Sequence, residues 1–146
     1  HARTLDTRPQ DYTPAVRDRL ELGRYVLGED YVRAMHGREL LRTEVDTALR
    51  GRQGLLLPTL PIPAPALGVD SIEVAGVSDS VRTLTLRLTQ LFNLTGHPAI
   101  SIPMGLTSSG LPCGLQLVGR RGFTDDLLAV ALSCEQHLAE RAEEPA

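Results

Sequence analysis

The chain has 146 residues, enough for one domain burying roughly 68–70% of its unfolded surface. Its 15 basic and 18 acidic side chains leave a net charge of −3 with no long run of either sign, so neither nucleic acid nor an anionic membrane is expected as a partner. No stretch reaches the ~18 consecutive apolar residues of a membrane span, and Cys113 and Cys134 lie in no metal-spaced cluster, so a soluble, cytoplasmic protein without a metal is expected.

The first residue is His1 rather than Met, and the opening HARTLDTRPQ has no start signal, tag-like repeat or secretory character. It reads as the middle of a longer chain. Thr13-Pro14 is a helix start, a capping hydroxyl followed by proline in the first turn. Val16, Leu20, Gly23 and Leu27 mark one face of that helix, and Gly28 is expected to end it.

A longer helix is expected from Glu29 or Asp30, whose carboxylates suit a positively polarised helix start. Its apolar stripe is Tyr31, Ala34, Met35, Leu41, Val45, Ala48 and Leu49. Arg38, Arg42 and Glu44 lie off the stripe and read as a solvated face, and Gly51 or Gly54 stops the helix.

Leu55-Leu56-Leu57, stopped by Pro58, suits a strand buried on both faces. The following PTLPIPAP is a proline-rich turn out of that strand; the lesser alternative, on composition alone, is a stiff connector or a peptide-module ligand. Gly68 to Ser80 has little periodicity and reads as loop. From Ser80 to Leu91, Val81, Leu84, Leu88 and Leu91 recur at helical spacing with Ser80 as cap, and Arg82, Thr83, Leu86, Thr89 and Gln90 occupy the other sides.

Two short apolar runs follow, Ala99 to Met104 and Cys113 to Val118, joined by a polar, Gly-containing link from Gly105 to Pro112. That is a β-hairpin signature. Ile100 and Ile102 share one face and Ser101 and Pro103 the other, while Leu115 to Val118 is apolar enough to be covered on both sides. Thr124 then caps a final helix with Asp125 and Asp126 in its first turn and Leu127, Ala131, Cys134 and Leu138 on its buried face. Beyond Glu140 the tail RAEEPA is expected to fray.

The string Arg87-x-Thr89-x-x-Phe92-Asn93-x-x-Gly96-x-Pro98-Ala99-Ile100-Ser101-x-Pro103-x-Gly105, followed by Gly110-Leu111-Pro112-x-Gly114-Leu115-Gln116-Leu117-Val118-Gly119, resembles the carboxy-terminal part of the amidase signature family. The strand leading into Pro58-Thr59-Leu60-Pro61 is a second point of resemblance. It implies an α/β fold: the carboxy-terminal part of an α/β/α layered domain with a mixed sheet, two amino-terminal helices, a buried strand, a β-hairpin and a final helix. Residues 1–146 would then be an incomplete portion of one domain, about the last third of a typical member.

That resemblance implies a cofactor-free amidase acting on a small-molecule amide through a Ser, cis-Ser, Lys triad, in which a neutral lysine activates the nucleophile. No triad member is expected in this chain, because it has no lysine and no Gly/Ser-rich nucleophile loop. Arginine stays protonated and cannot replace the lysine as a base. The fragment alone should be inert, and a naturally truncated, non-catalytic binding or assembly module remains the other reading.

The same resemblance implies that the segment from Ser80 to Leu91 forms part of the acyl-pocket wall, with Thr83, Leu86, Thr89 and Gln90 as substrate-binding residues; read without it, the segment is a core helix with ordinary polar decoration. The Gly68 to Ser80 stretch would cover the active-site mouth. Members that take ammonia from glutamine carry an acidic residue seven before the NLxG asparagine; here that position is Leu86, counted back from Asn93, which implies a less polar acyl group.

Other residues read as structural. Asp125 and Asp126 suit a helix start and Cys134 a core. Cys113 has no basic neighbour in sequence to activate it, Ser108-Ser109 falls in the hairpin turn, and His97 would need a nucleophile and an orienting acid to act as a base. A chain cut from a larger sheet is also expected to self-associate through exposed sheet surfaces, at Leu55 to Leu57 and Leu115 to Val118.

Overall fold

The computed structural model describes residues 1–143, which divide into two units, 1–39 and from Leu40 onward. The first unit holds helix α1 (Ala2–Thr7), a 3-10 turn (Pro9–Asp11), helix α2 (Pro14–Leu22), a second 3-10 turn (Gly23–Tyr25) and the start of helix α3 (Gly28–Ala48). Helix α1 was not legible in the sequence; it buries Leu5, and its Asp6 pairs with Arg24.

Pro14 opens α2 as expected, but Thr13 makes no side-chain cap bond, and the helix ends at Leu22 rather than at Gly28. Val26 is extended and Gly28 begins α3, so that glycine opens a helix instead of closing one. The reason is a weak stripe: no residue of α2 is buried, and Val16 and Leu27 are both exposed. Without an apolar face to cover, nothing extends the helix to Leu27.

The second unit is built on a three-stranded sheet, order β1-β5-β4, from β1 (Leu55–Pro58), β4 (Ala99–Leu106) and β5 (Pro112–Val118). Both ladders are antiparallel. Any parallel pair of the expected mixed sheet would have to involve strands outside these residues. Opposed residues share a face, so the register puts Leu56, Leu117 and Ile100 on one side and Leu57, Gln116 and Ser101 on the other.

Each face is covered by helix. Helix α6 (Thr124–Glu143) lays Leu127 and Ala131 on Leu117 and Ile102, with Cys134 and Leu138 alongside. On the opposite face Val45 of α3 and the adjacent Leu49 meet Val118 and Phe92, the latter from helix α5 (Gln90–Thr95). This is the expected α/β/α layering. Full burial of a leucine such as Leu49, 1% exposed, contributes about 1.5–3 kcal/mol. Helix α6 runs to Glu143, and the rest of the tail expected to fray, residues 144–146, lies outside the described residues.

Three expectations are corrected in this unit. Strand β1 is not buried on both faces: it lies at a sheet edge, Leu55 and Leu57 face the α3 side, and Leu56 is 61% exposed. The stretch from Gly68 to Ser80 is not all loop but contains a hairpin, β2 (Ser71–Val74) with β3 (Val77–Ser80). Its turn residues Ala75 and Gly76 both have positive φ, the backbone of a tight two-residue hairpin. Alanine is an uncommon choice there, which hid the turn.

The third correction concerns the helix expected from Ser80 to Leu91. It is two helices, α4 (Val81–Leu86) and α5, broken at 87–89. The break is held from the sheet: buried Gln116 donates from Nε2 to the Leu88 carbonyl at 2.9 Å. Ser80 does cap α4, its Oγ accepting from the Thr83 N–H at 3.0 Å, and Gly96 closes α5 in the left-handed conformation.

Candidate functional site

A cleft of about 540 Å³ is lined by residues of α4, α5 and the break between them. Thr83, Leu86 and Gln90 line it, together with Arg82, Arg87, Leu91 and Leu94. Three of the four residues expected on a substrate wall are thus brought together. Thr89 stands apart: its hydroxyl points back along the chain to the Thr85 carbonyl, 3.4 Å away, and it does not line the cleft.

Charge in this cleft is uneven. Arg87 Nη2 sits 2.6 Å from Asp79 Oδ2 of β3, so the hairpin missed in the sequence supplies its counter-ion. Leu86 is partly buried and contributes an apolar part of the wall.

A second cleft, about 380 Å³, lies where the proline-rich turn meets the hairpin. Thr59 donates its backbone N–H to the Gly114 carbonyl at 2.8 Å, and the Thr59 and Ser101 hydroxyls share a 2.6 Å hydrogen bond. Gly114 allows this approach, since a Cβ there would lie 2.6 Å from Ser101 Oγ and 2.8 Å from Thr59 Oγ1. The proline segment is therefore fastened to the sheet and does not hang free as a linker. Cys113, on the cleft wall, has its Sγ 3.4 Å from the Gly105 carbonyl.

The polar cluster that sequence reasoning missed surrounds His97. The ring is buried, with Nδ1 2.8 Å from Thr95 Oγ1 and Nε2 donating to Asp46 Oδ1 at 3.1 Å. Arg121 reaches Asp46 Oδ2 at 2.7 Å, and Arg42 Nε donates to the Thr95 carbonyl at 2.9 Å, so Arg42 is not simply part of a solvated face. The Arg121 guanidinium holds the Asp46 carboxyl below the usual carboxylate range; partial desolvation opposes this, and the His97 hydrogen bond adds to it.

His97 therefore has an orienting acid. The hydroxyl it faces, on Thr95, is fully buried and donates to the Leu91 carbonyl at 3.0 Å, out of reach of a substrate. The cluster locks the turn between α5 and β4 onto α3. Elsewhere, Ser109 bonds Thr107 within the hairpin turn, and Asp126, in the first turn of α6, lies 3.4 Å from Arg120. Both read as local structure.

The family model described as Amidase matches residues 2–128. A glutamyl-tRNA(Gln) amidotransferase subunit of Bartonella bacilliformis is 33% identical over 140 residues, covering 89% of this chain. The chain spans 27% of that relative's length. Among solved structures, an amidase superposes with a TM-score of 0.86 at 36% identity, covering 94% of this chain and 31% of its own. A chain of a vestigial protein complex, described as revealing the evolutionary origins of an s-triazine catabolic enzyme, superposes with a TM-score of 0.81 at 30% identity, covering 97% of this chain and 30% of its own.

Proposed function

The chain belongs to the amidase family, and from that premise we propose that it is the incomplete carboxy-terminal portion of one amidase domain. The longer polypeptide hydrolyses a carboxamide to a carboxylate and ammonia or an amine. A serine attacks the amide carbonyl, the C–N bond breaks as nitrogen takes up a proton, and water releases the acyl group from the serine. The serine, its cis-Ser relay and the neutral lysine belong to the part that precedes this one in family order.

One observation carries the reading. The likeness extends over 94% of the chain while spanning 31% of the amidase it superposes on, and the chain has no lysine to act as the base. In this reading the α4–α5 cleft is part of the acyl-pocket wall, with Thr83, Leu86 and Gln90 facing substrate. Thr89 supports the wall through the Thr85 carbonyl. Leu86, in place of an acid, favours an acyl group other than glutamine's. The proposed setting is the cytoplasm, which the free thiols of Cys113 and Cys134 support.

Ammonia release from simple carboxamides tests the proposal. The 146-residue chain is expected to release none, and a polypeptide joining it to a Ser/Lys-bearing amino-terminal part is expected to release it steadily. Hydrolysis by the chain alone would overturn the assignment of the triad. Silence from both would favour the non-catalytic assembly module, a reading the missing lysine also supports.

A further inference from the structure

The α4–α5 cleft contains a cation without a counter-ion. Of its two arginines, Arg87 is paired with Asp79 of the β2–β3 hairpin, whereas Arg82 makes no ion pair or side-chain hydrogen bond among the described residues. Among the described residues, no acidic side chain lines the cleft. Around Arg82 stand two neutral hydrogen-bonding side chains, Thr83 and Gln90, and an apolar wall that includes Leu86 and Leu91.

That combination has a chemical preference. A guanidinium presents a planar fork of N–H donors that matches a carboxylate in two parallel bonds. An apolar wall beside it suits a short methylene chain. A neutral amide in the same place gains only an ordinary hydrogen bond, and an ammonium group meets an unmatched positive charge with no acid to offset it.

We propose that Arg82 is a specificity-determining residue that selects amides whose acyl portion carries a carboxylate. The proposal rests on the reading of this cleft as the acyl wall, and it replaces the less polar acyl group implied by Leu86 with one that is apolar beside Leu86 and anionic at Arg82. Thr83 and Gln90 accept or donate at the edges of the bound anion, and Leu86 and Leu91 contact the methylenes between carboxylate and amide. Asp79 takes part indirectly, by occupying Arg87 and leaving Arg82 as the cation that a ligand can claim.

The test uses three probes that share one carbon skeleton and differ in charge: glutaramate, glutaramide and 5-aminopentanamide. Their dissociation constants for the chain are read from backbone amide shifts of residues 82–94. Glutaramate is expected to bind about three- to fivefold tighter than glutaramide, the scale of an ion pair open to water, and the ammonium probe weakest. Arg82→Gln should bring glutaramate and glutaramide to parity without altering shifts at the His97 cluster, and Arg82→Lys should keep part of the preference.

Equal binding of the three probes, a preference unchanged in Arg82→Gln, or no shift in residues 82–94 with any probe would each overturn the proposal. The ammonia assay remains separate. If the Arg82-dependent preference is found and no triad-bearing polypeptide releases ammonia, the acyl-wall reading falls while the anion selectivity stands.

Discussion

His97 Nε2 donates to Asp46 Oδ1 across 3.1 Å, and this bond joins the end of helix α3 to the turn that leads into strand β4. The acceptor has a second partner in Arg121, which comes from the β5–α6 connection. Asp46 thus ties the end of α3 to two segments that the backbone already joins, through the Gly119 N–H on the Pro98 carbonyl at 2.9 Å.

The pH dependence follows from the sign of its shift. Asp46 is held below its ordinary value of 3.8, chiefly by Arg121. The folded state gains from that carboxylate at pH above 3.8 and loses the gain as pH falls through the lower, folded value. Urea midpoints measured from neutral pH down to acid should fall on this limb, and Asp46→Asn should flatten it while lowering the midpoint at neutral pH. An acid limb unchanged in the variant would assign the effect to other carboxylates.

Gln116 is expected to matter more than an exposed amide would. It is 4% exposed, and its Nε2 satisfies the Leu88 carbonyl at the α4–α5 break. Gln116→Leu strands that carbonyl and should cost about 1–3 kcal/mol in thermal or urea unfolding. Proteolytic cleavage near residues 87–89 should rise with it. Wild-type stability in the variant would show that the break is held by other means.

The hairpin and final helix were the legible parts of the fold. The strands now seen at Ala99–Leu106 and Pro112–Val118 follow from the apolar runs Ala99 to Met104, with period two, and Cys113 to Val118, more uniformly apolar, around a Gly-containing link, and Leu127, Ala131, Cys134 and Leu138 from helical spacing. Resemblance named Thr83, Leu86, Thr89 and Gln90 as a substrate wall; three of them line one cleft and Thr89 does not, and a role for that cleft in binding substrate is a proposal. Periodicity alone gave one long helix there, because Leu88 and Leu91 continue the apolar spacing across the break. The His97–Asp46 pair spans 51 positions, and no local pattern announces such a contact. Gln116 was hidden inside an apolar run, where its amide meets a distant carbonyl.

Gly114 gives a steric prediction. A methyl group there would meet Ser101 Oγ at 2.6 Å and Thr59 Cβ at 3.3 Å. Gly114→Ala should destabilise by about 1–3 kcal/mol, the usual cost of overpacking. Removing the Ser101 hydroxyl in the same chain should recover part of that loss. A double-mutant cycle in urea measures the coupling, and strict additivity would mean that the two groups do not compete for space.

Strand β1 sets the last prediction. The expected self-association surface narrows, because Gln116, Leu117 and Val118 are already buried within the chain. What stays open is the two sheet edges, β1 and β4, of which β1 carries the 61% exposed Leu56, beside covered Leu117 on the same face. An unpaired edge with an apolar residue is a template for a second strand. Sedimentation should therefore show a mass that grows with concentration, and Leu56→Lys should shift it toward monomer, since a charge on an edge strand opposes pairing while disturbing no buried contact. A wild-type chain that stays monomeric at high concentration would rule out association through β1. An association untouched by Leu56→Lys would move the contact to another surface.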